Sequence, residues 1–134
     1  MDEQENVQIV QESYAAFGRG DVAAFLATFD DGVDWLTYGP ADLPIYGPRR
    51  GRDQVAAVMS AATDLLEIQE FEPREYIAQG DRVVVLGYER GTSKSSGKAY
   101  ELHWVDVFTL KNHKVARFRG YWDSASIVAA ARGA

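Results

Sequence analysis

The chain has 134 residues and a formal net charge of -6, with 46% hydrophobic and 25% charged residues. That length and balance suit one folded domain, 1–134, around one core, and the acidic charge argues against a nucleic-acid or anionic-membrane partner, because phosphate binding needs basic patches. Cysteine is absent and histidine occurs only at His103 and His113, which excludes disulfides, thiolate chemistry and a zinc site of several histidines.

The opening stretch MDEQENVQ is acidic and lacks the apolar core of a signal peptide. No apolar run approaches the ~20 residues that a membrane span requires. With the missing cysteines, these features give the expectation of a cytoplasmic protein without a membrane partner. Val7, Val10, Tyr14 and Phe17 then recur at helical spacing and make one apolar stripe. The GRGD segment breaks that helix, with Gly20 as the stop and Asp21 as the cap of a short second helix striped by Val22, Phe25, Leu26 and Phe29. VDWLTY reads as a strand.

Residues 39–51, GPADLPIYGPRRG, carry Gly and Pro at several positions and read as the longest irregular loop, either a lid over a site or a reach toward a partner subunit. Asp53 is the expected cap of a third helix that turns Val55, Val58, Met59, Ala62 and Leu65 inward. After Glu67 the period changes to two. REYIAQ, RVVVLGYER, YELHWVDVFTL and KVARFRGYW read as four strands, joined at GD, GTSKSSGK and KNHK. SASIVAAAR closes the chain as a short helix after Asp123.

Helices first and antiparallel strands afterwards is the α+β pattern. The run VVVL is apolar on both strand parities, and Val105 and Val107 face opposite to Leu102, Trp104, Phe108 and Leu110. A sheet apolar on both faces needs cover on each, so the expectation is helices on one side and a homodimer through the sheet on the other.

The segments YAAFGRGDVAAFLATFDDGVDW, GRDQVAAVM and, above all, VDVFTLKNHKVARFRGYWD resemble the nuclear transport factor two-like superfamily of cone folds. That group includes SnoaL-type polyketide cyclases, ketosteroid isomerases and limonene epoxide hydrolases. The resemblance spans nearly the whole chain, with a histidine, His113, where members often have a hairpin glycine. It implies a cone-shaped α+β barrel: three N-terminal helices on a curved antiparallel sheet of mixed strand order, with a short C-terminal helix. A pocket open at one end follows from that shape, suited to a small hydrophobic molecule.

Two acids are the candidate catalytic residues. Asp123 stands where the resemblance puts the general base of the cyclases and the epoxide hydrolases. Aromatic neighbours that exclude water would raise its pKa toward a useful range. A helix cap is the plain alternative, worth ~1 kcal/mol. Asp106 shares its parity with an otherwise apolar stripe, so it must be paired, protonated or solvated by a cavity. In the ketosteroid isomerases the matching position is the protonated acid of an oxyanion hole; an ion pair with Arg82 or Arg119 is the plain alternative. Tyr14, Trp35, Tyr38, Arg82, Tyr88, Trp104 and Tyr121 are the candidate substrate-binding residues, with core packing the alternative for each aromatic. His103 lies on the opposite parity to Asp106.

The resemblance fits some chemistries better than others. Ungapped alignment puts the isomerase tyrosine on Ser13 and the isomerase base on Thr37. For the epoxide hydrolases, Asp123, Tyr38 and Arg82 match, but the epoxide-protonating acid falls on Val84 and the water-binding asparagine near Pro40. The reading that needs least is a SnoaL-like enzyme. It would abstract a proton from a carbon acid, with Asp123 as base and Asp106 or a tyrosine settling the oxyanion. Epoxide-type water activation and a non-catalytic hydrophobic-ligand or dimerisation domain are the alternatives. The sequence has none of the glycine-rich nucleotide motifs and no metal motif, so no cofactor is expected.

Overall fold

Local capping chemistry sets the helices. In the computed structural model, which describes residues 2–133, helix α1 (Glu3–Gly18) starts where the Asp2 carboxylate accepts from the Glu5 amide at 2.7 Å. Asp21 does the same for α2 (Val22–Ala27), accepting from the Ala24 amide at 3.0 Å. Helix α3 (Gly51–Leu65) differs from expectation. It begins at Gly51, whose φ of 83° suits glycine, and Asp53 lies in its first turn instead of capping it. Its first-turn closure comes from Gln54, whose side-chain oxygen accepts from the Arg50 amide at 2.6 Å. The last helix, α4 (Ser124–Ala131), has Asp123 at its cap position, but that side chain makes no capping hydrogen bond.

Six strands form one mixed sheet. They are β1 (Phe29–Thr37), β2 (Gly47–Arg50), β3 (Leu66–Gln79), β4 (Arg82–Ser93), β5 (Ala99–Lys111) and β6 (Lys114–Trp122), in the order β2-β1-β6-β5-β4-β3. β1 and β6 run parallel; every other neighbouring pair is antiparallel. Strand β2 lies inside the segment expected to be irregular. It is a short edge strand, the one setting where its Pro48 costs no ladder bond. Register shifts at Ile68/Glu70 and Pro73/Glu75 in β3 are the bulges that help curve the sheet.

The α+β architecture with helices ahead of a curved sheet is as expected. Helix α1 lies against β3 and β4, α3 against β1 and β2, and α4 against β5 and β4. Inner-face positions of β5 alternate as the pattern requires: Leu102, Trp104, Asp106, Phe108 and Leu110 are buried, while Val105 and Val107 on the outer face are half-buried. No helix among the described residues is long and apolar enough to cross a membrane.

Candidate functional site

The inner face of the sheet and the four helices enclose a hollow of about 80 Å³. Phe25, Val58 and Ile127 reach into it from the helices, and Phe71, Phe108 and Phe118 from the strands. All three tryptophans of the chain, Trp35, Trp104 and Trp122, line it. Two carboxyl groups interrupt this apolar wall: Asp106 and Glu89. The lining, mostly apolar with a few convergent polar groups, is that of a small-molecule site.

Asp106 is held from two sides. It pairs across the sheet with Val85 on β4 and with Gly120 on β6. Gly120 is what admits the next inward side chain. The Trp122 ring crosses it so closely that a Cβ there would lie 2.9 Å from the indole nitrogen. So placed, the Trp122 N–H donates to Asp106 Oδ1 at 2.9 Å, and from α1 the Tyr14 hydroxyl donates to Oδ2 at 2.6 Å. Burial pushes the Asp106 carboxyl up to about 7, against the two hydrogen bonds, which favour the charged form. The Tyr14 phenol is driven well above its usual value, first by burial and then by the Asp106 charge.

Glu89, on β4, is the second acid of the hollow. It is 9% exposed and accepts from the Tyr100 hydroxyl at 2.6 Å. Burial raises its pKa above the ordinary carboxylate range, with the Tyr100 bond pulling the other way. The sequence reading missed it. The signal was there in β4, where Val83, Val85, Gly87 and Glu89 share one parity and all are buried.

The hollow adjoins a second, more open one between the end of α1, α2, α3 and the start of β3, with which it shares Phe17, Phe25, Met59 and Phe71. Exposed Val22 and Ile68 stand at its mouth, rimmed by Asp21, Gln69 and Glu70. The 39–51 segment is not at this opening. Its Ile45 lines the cavity, Ile45 and Tyr46 are 1% and 2% exposed, and the Thr37 hydroxyl fixes the Ile45 carbonyl at 2.7 Å. This part of the segment forms a wall of the hollow.

Of the residues singled out from sequence, Tyr14, Trp35, Trp104 and Asp106 come together at the hollow. The others are corrections of placement. Asp123 is exposed and outside the cavity lining, because the strand ends at Trp122 and the chain turns into α4. Tyr121 has the opposite parity to Trp122, so it faces out. It stacks on Tyr38 at 4.9 Å, the two rings being 49% and 45% exposed. Tyr88 faces the outer side too, under Arg74, whose guanidinium carbon sits 4.5 Å from the ring centre. Arg82 is exposed at the start of β4, and Arg119 pairs with Asp34 at 3.2 Å, so neither neutralises Asp106. The hydroxyl that reaches Asp106 belongs to Tyr14, one position beyond the Ser13 that ungapped alignment had indicated.

Comparison with known proteins follows the same lines. A family model described as SnoaL-like domain matches residues 10–118. No curated protein sequence is found to match. Among solved structures, an NTF2-like protein from Burkholderia xenovorans LB400 is 38% identical, with 98% of each chain covered and a TM-score of 0.88. TerC, co-crystallised with polyporic acid, is 26% identical over 96% of this chain and 98% of its own, with a TM-score of 0.87. A protein from Jannaschia sp. CCS1, provisionally classed as a SnoaL-like polyketide cyclase, shares the fold at 20% identity and a TM-score of 0.84, covering 98% and 94% of the two chains.

Proposed function

Because the chain belongs to the SnoaL-like domain family, we propose that it is a small-molecule enzyme whose Asp106 moves a proton on a compact apolar carbonyl compound. One observation carries this reading: a buried carboxyl with a pKa of about 7, set in the wall of an otherwise apolar cavity. A base is most effective when its pKa lies near the working pH, and an unused buried acid is costly to a fold. In this reading the Asp106 carboxylate takes a proton from the carbon beside a carbonyl. The C–H electrons become the enolate double bond, and the charge moves to oxygen. Where a double bond is conjugated with the enolate, returning the proton to the far carbon of the dienolate completes an isomerisation. Attack of the enolate carbon on a second carbonyl of the same molecule forms the ring bond, breaks that C=O π bond and leaves an alkoxide that takes the proton back from Asp106, which is a cyclisation. Tyr14 and Trp122 are positioning residues that hold the carboxylate and its charge. Two cavity-lining indoles, Trp35 and Trp104, have N–H groups without partners among the described residues, and these are the donors closest in chemistry to what an enolate oxygen needs.

The base is assigned to Asp106, and Asp123 is left as an exposed residue at the start of α4. The same reading seats a second copy of the chain on the outer sheet face, around Val84, Leu86, Val105 and Val107; a sedimentation run at micromolar concentration giving only monomer would remove that element. The enzymatic core is tested with β-tetralone, an apolar bicyclic ketone, in heavy water. The protein should speed deuterium uptake beside the carbonyl above the buffer rate, and Asp106→Asn should abolish the gain. Binding of the ketone without any faster exchange would convert the reading to a hydrophobic-ligand carrier.

A further inference from the structure

Glu89 takes no part in the proton transfer above, yet it is built into the same cavity. It lies four positions beyond Val85, the residue paired with Asp106, on the same face of β4. At about 3.3 Å per residue the two acidic positions are roughly 13 Å apart along the sheet. The row between them is Gly87 opposite Trp104, with the indole laid over the glycine. Only one oxygen of Glu89 is engaged, by Tyr100; its other oxygen has no hydrogen-bond partner among the described residues. The buried Tyr46 hydroxyl is also without a partner, and it lies near enough to feel the Glu89 charge. A structural role at this point of an apolar wall calls for a leucine. That oxygen is not sealed off, so a polar group entering the hollow can reach it.

We propose that Glu89 is a second ligand-contacting residue, and that the molecule bound carries an oxygen function at each end of an apolar middle, one met by Asp106 and the other by Glu89. This rests on the reading of the cavity as the active site. Glu89 accepts from a hydroxyl at the far end of the ligand when ionised, and donates to a carbonyl there when protonated. The ligand's length is thereby matched to the spacing of the two acids, with its middle lying on Trp104.

The test uses two probes, β-tetralone and β-tetralone carrying a hydroxyl on its far ring, with binding read from quenching of the cavity tryptophans. The variant is Glu89→Leu combined with Tyr100→Phe. It replaces both hydrogen-bonding partners with apolar groups of similar shape, a change that is close to neutral for folding. Glu89→Asp is the second variant, which keeps the charge but shortens its reach. In the wild type the hydroxylated probe should bind roughly tenfold tighter than the plain one. In both variants that advantage should vanish, the two probes binding alike at whatever common affinity results, and tryptophan quenching by the plain ketone shows that the cavity still takes a ligand. If the hydroxyl adds nothing in the wild type, or its advantage survives in the double variant, Glu89 is not a ligand contact and the Asp106 reading stands alone. If neither probe quenches the tryptophans, both readings fall.

Discussion

Replacing Asp106 with Asn should make stability and activity part company as the pH changes. The folded pKa of about 7 lies well above the ~4 of an unfolded aspartate, so the fold tolerates the protonated acid and resists the charged one. The stability held by the neutral form is complete below about pH 4 and is lost as the pH rises to about 7. At 1.36 kcal/mol per unit, the two units between pH 5 and the folded pKa amount to about 3 kcal/mol. Asparagine has nearly the same shape and no charge. Its oxygen can accept from Trp122 and its amide can donate to the Tyr14 hydroxyl, so this pH dependence should disappear. The variant should therefore gain about 3 kcal/mol on the wild type between pH 5 and pH 8. With a urea slope of about 2 kcal/mol/M, that is a relative shift of roughly 1.5 M in the unfolding midpoint. The surface groups titrate in both proteins and cancel in the comparison; Glu89, whose charge adds to the rise at Asp106, does not, so both proteins are also compared with Glu89→Gln added. Wild-type and variant midpoints that move in parallel from pH 5 to pH 8 would refute a neutral-range pKa for this carboxyl, and with it the basis for calling Asp106 the base.

Tyr14→Phe removes a hydrogen bond that favours the charged Asp106, so the rise of kcat/KM for β-tetralone exchange should shift to higher pH; an unmoved profile would mean that Tyr14 does not tune the base. Gly87→Ala would put a Cβ 2.1 Å from the Trp104 ring, so urea unfolding should show a loss of about 1–3 kcal/mol with weaker β-tetralone binding, and a wild-type result on both would contradict the indole-on-glycine contact. Asp123→Asn should leave exchange unchanged because the group is exposed and outside the cavity, whereas a fall of about a hundredfold or more would return the base to that position.

Period was the strongest message in the sequence. Alternation along β5 put Asp106 among Leu102, Trp104 and Phe108 on the buried side, and the helical stripe brought Tyr14 inward. The same rule, applied one strand further, turns Trp122 inward and the candidate Tyr121 outward. Asp123 misled for a related reason: a carboxylate next to aromatics in sequence is one residue past the end of β6, where alternation no longer governs direction. Glu89 shares its parity with Val83 and Val85, but VVVLGY is apolar on both parities and so does not tell which of the two is the buried one. The Tyr14–Asp106 bond joins residues 92 apart, and no local pattern carries such a pairing. Strand β2 escaped because Gly47 and Pro48 signal irregular chain everywhere except on a sheet edge.

Rings resting on glycines give this cavity an unusual kind of control. Trp104 rests on Gly87 and Trp122 crosses Gly120, and both rings line the chamber. Depth is thus governed from behind, by positions that never meet a guest molecule. A methyl group added under either of these rings would tip it into the chamber and shorten the space available, while every contacting side chain kept its identity. Relatives could trade longer guests for shorter ones in this way, through changes that a survey of the visible lining would overlook.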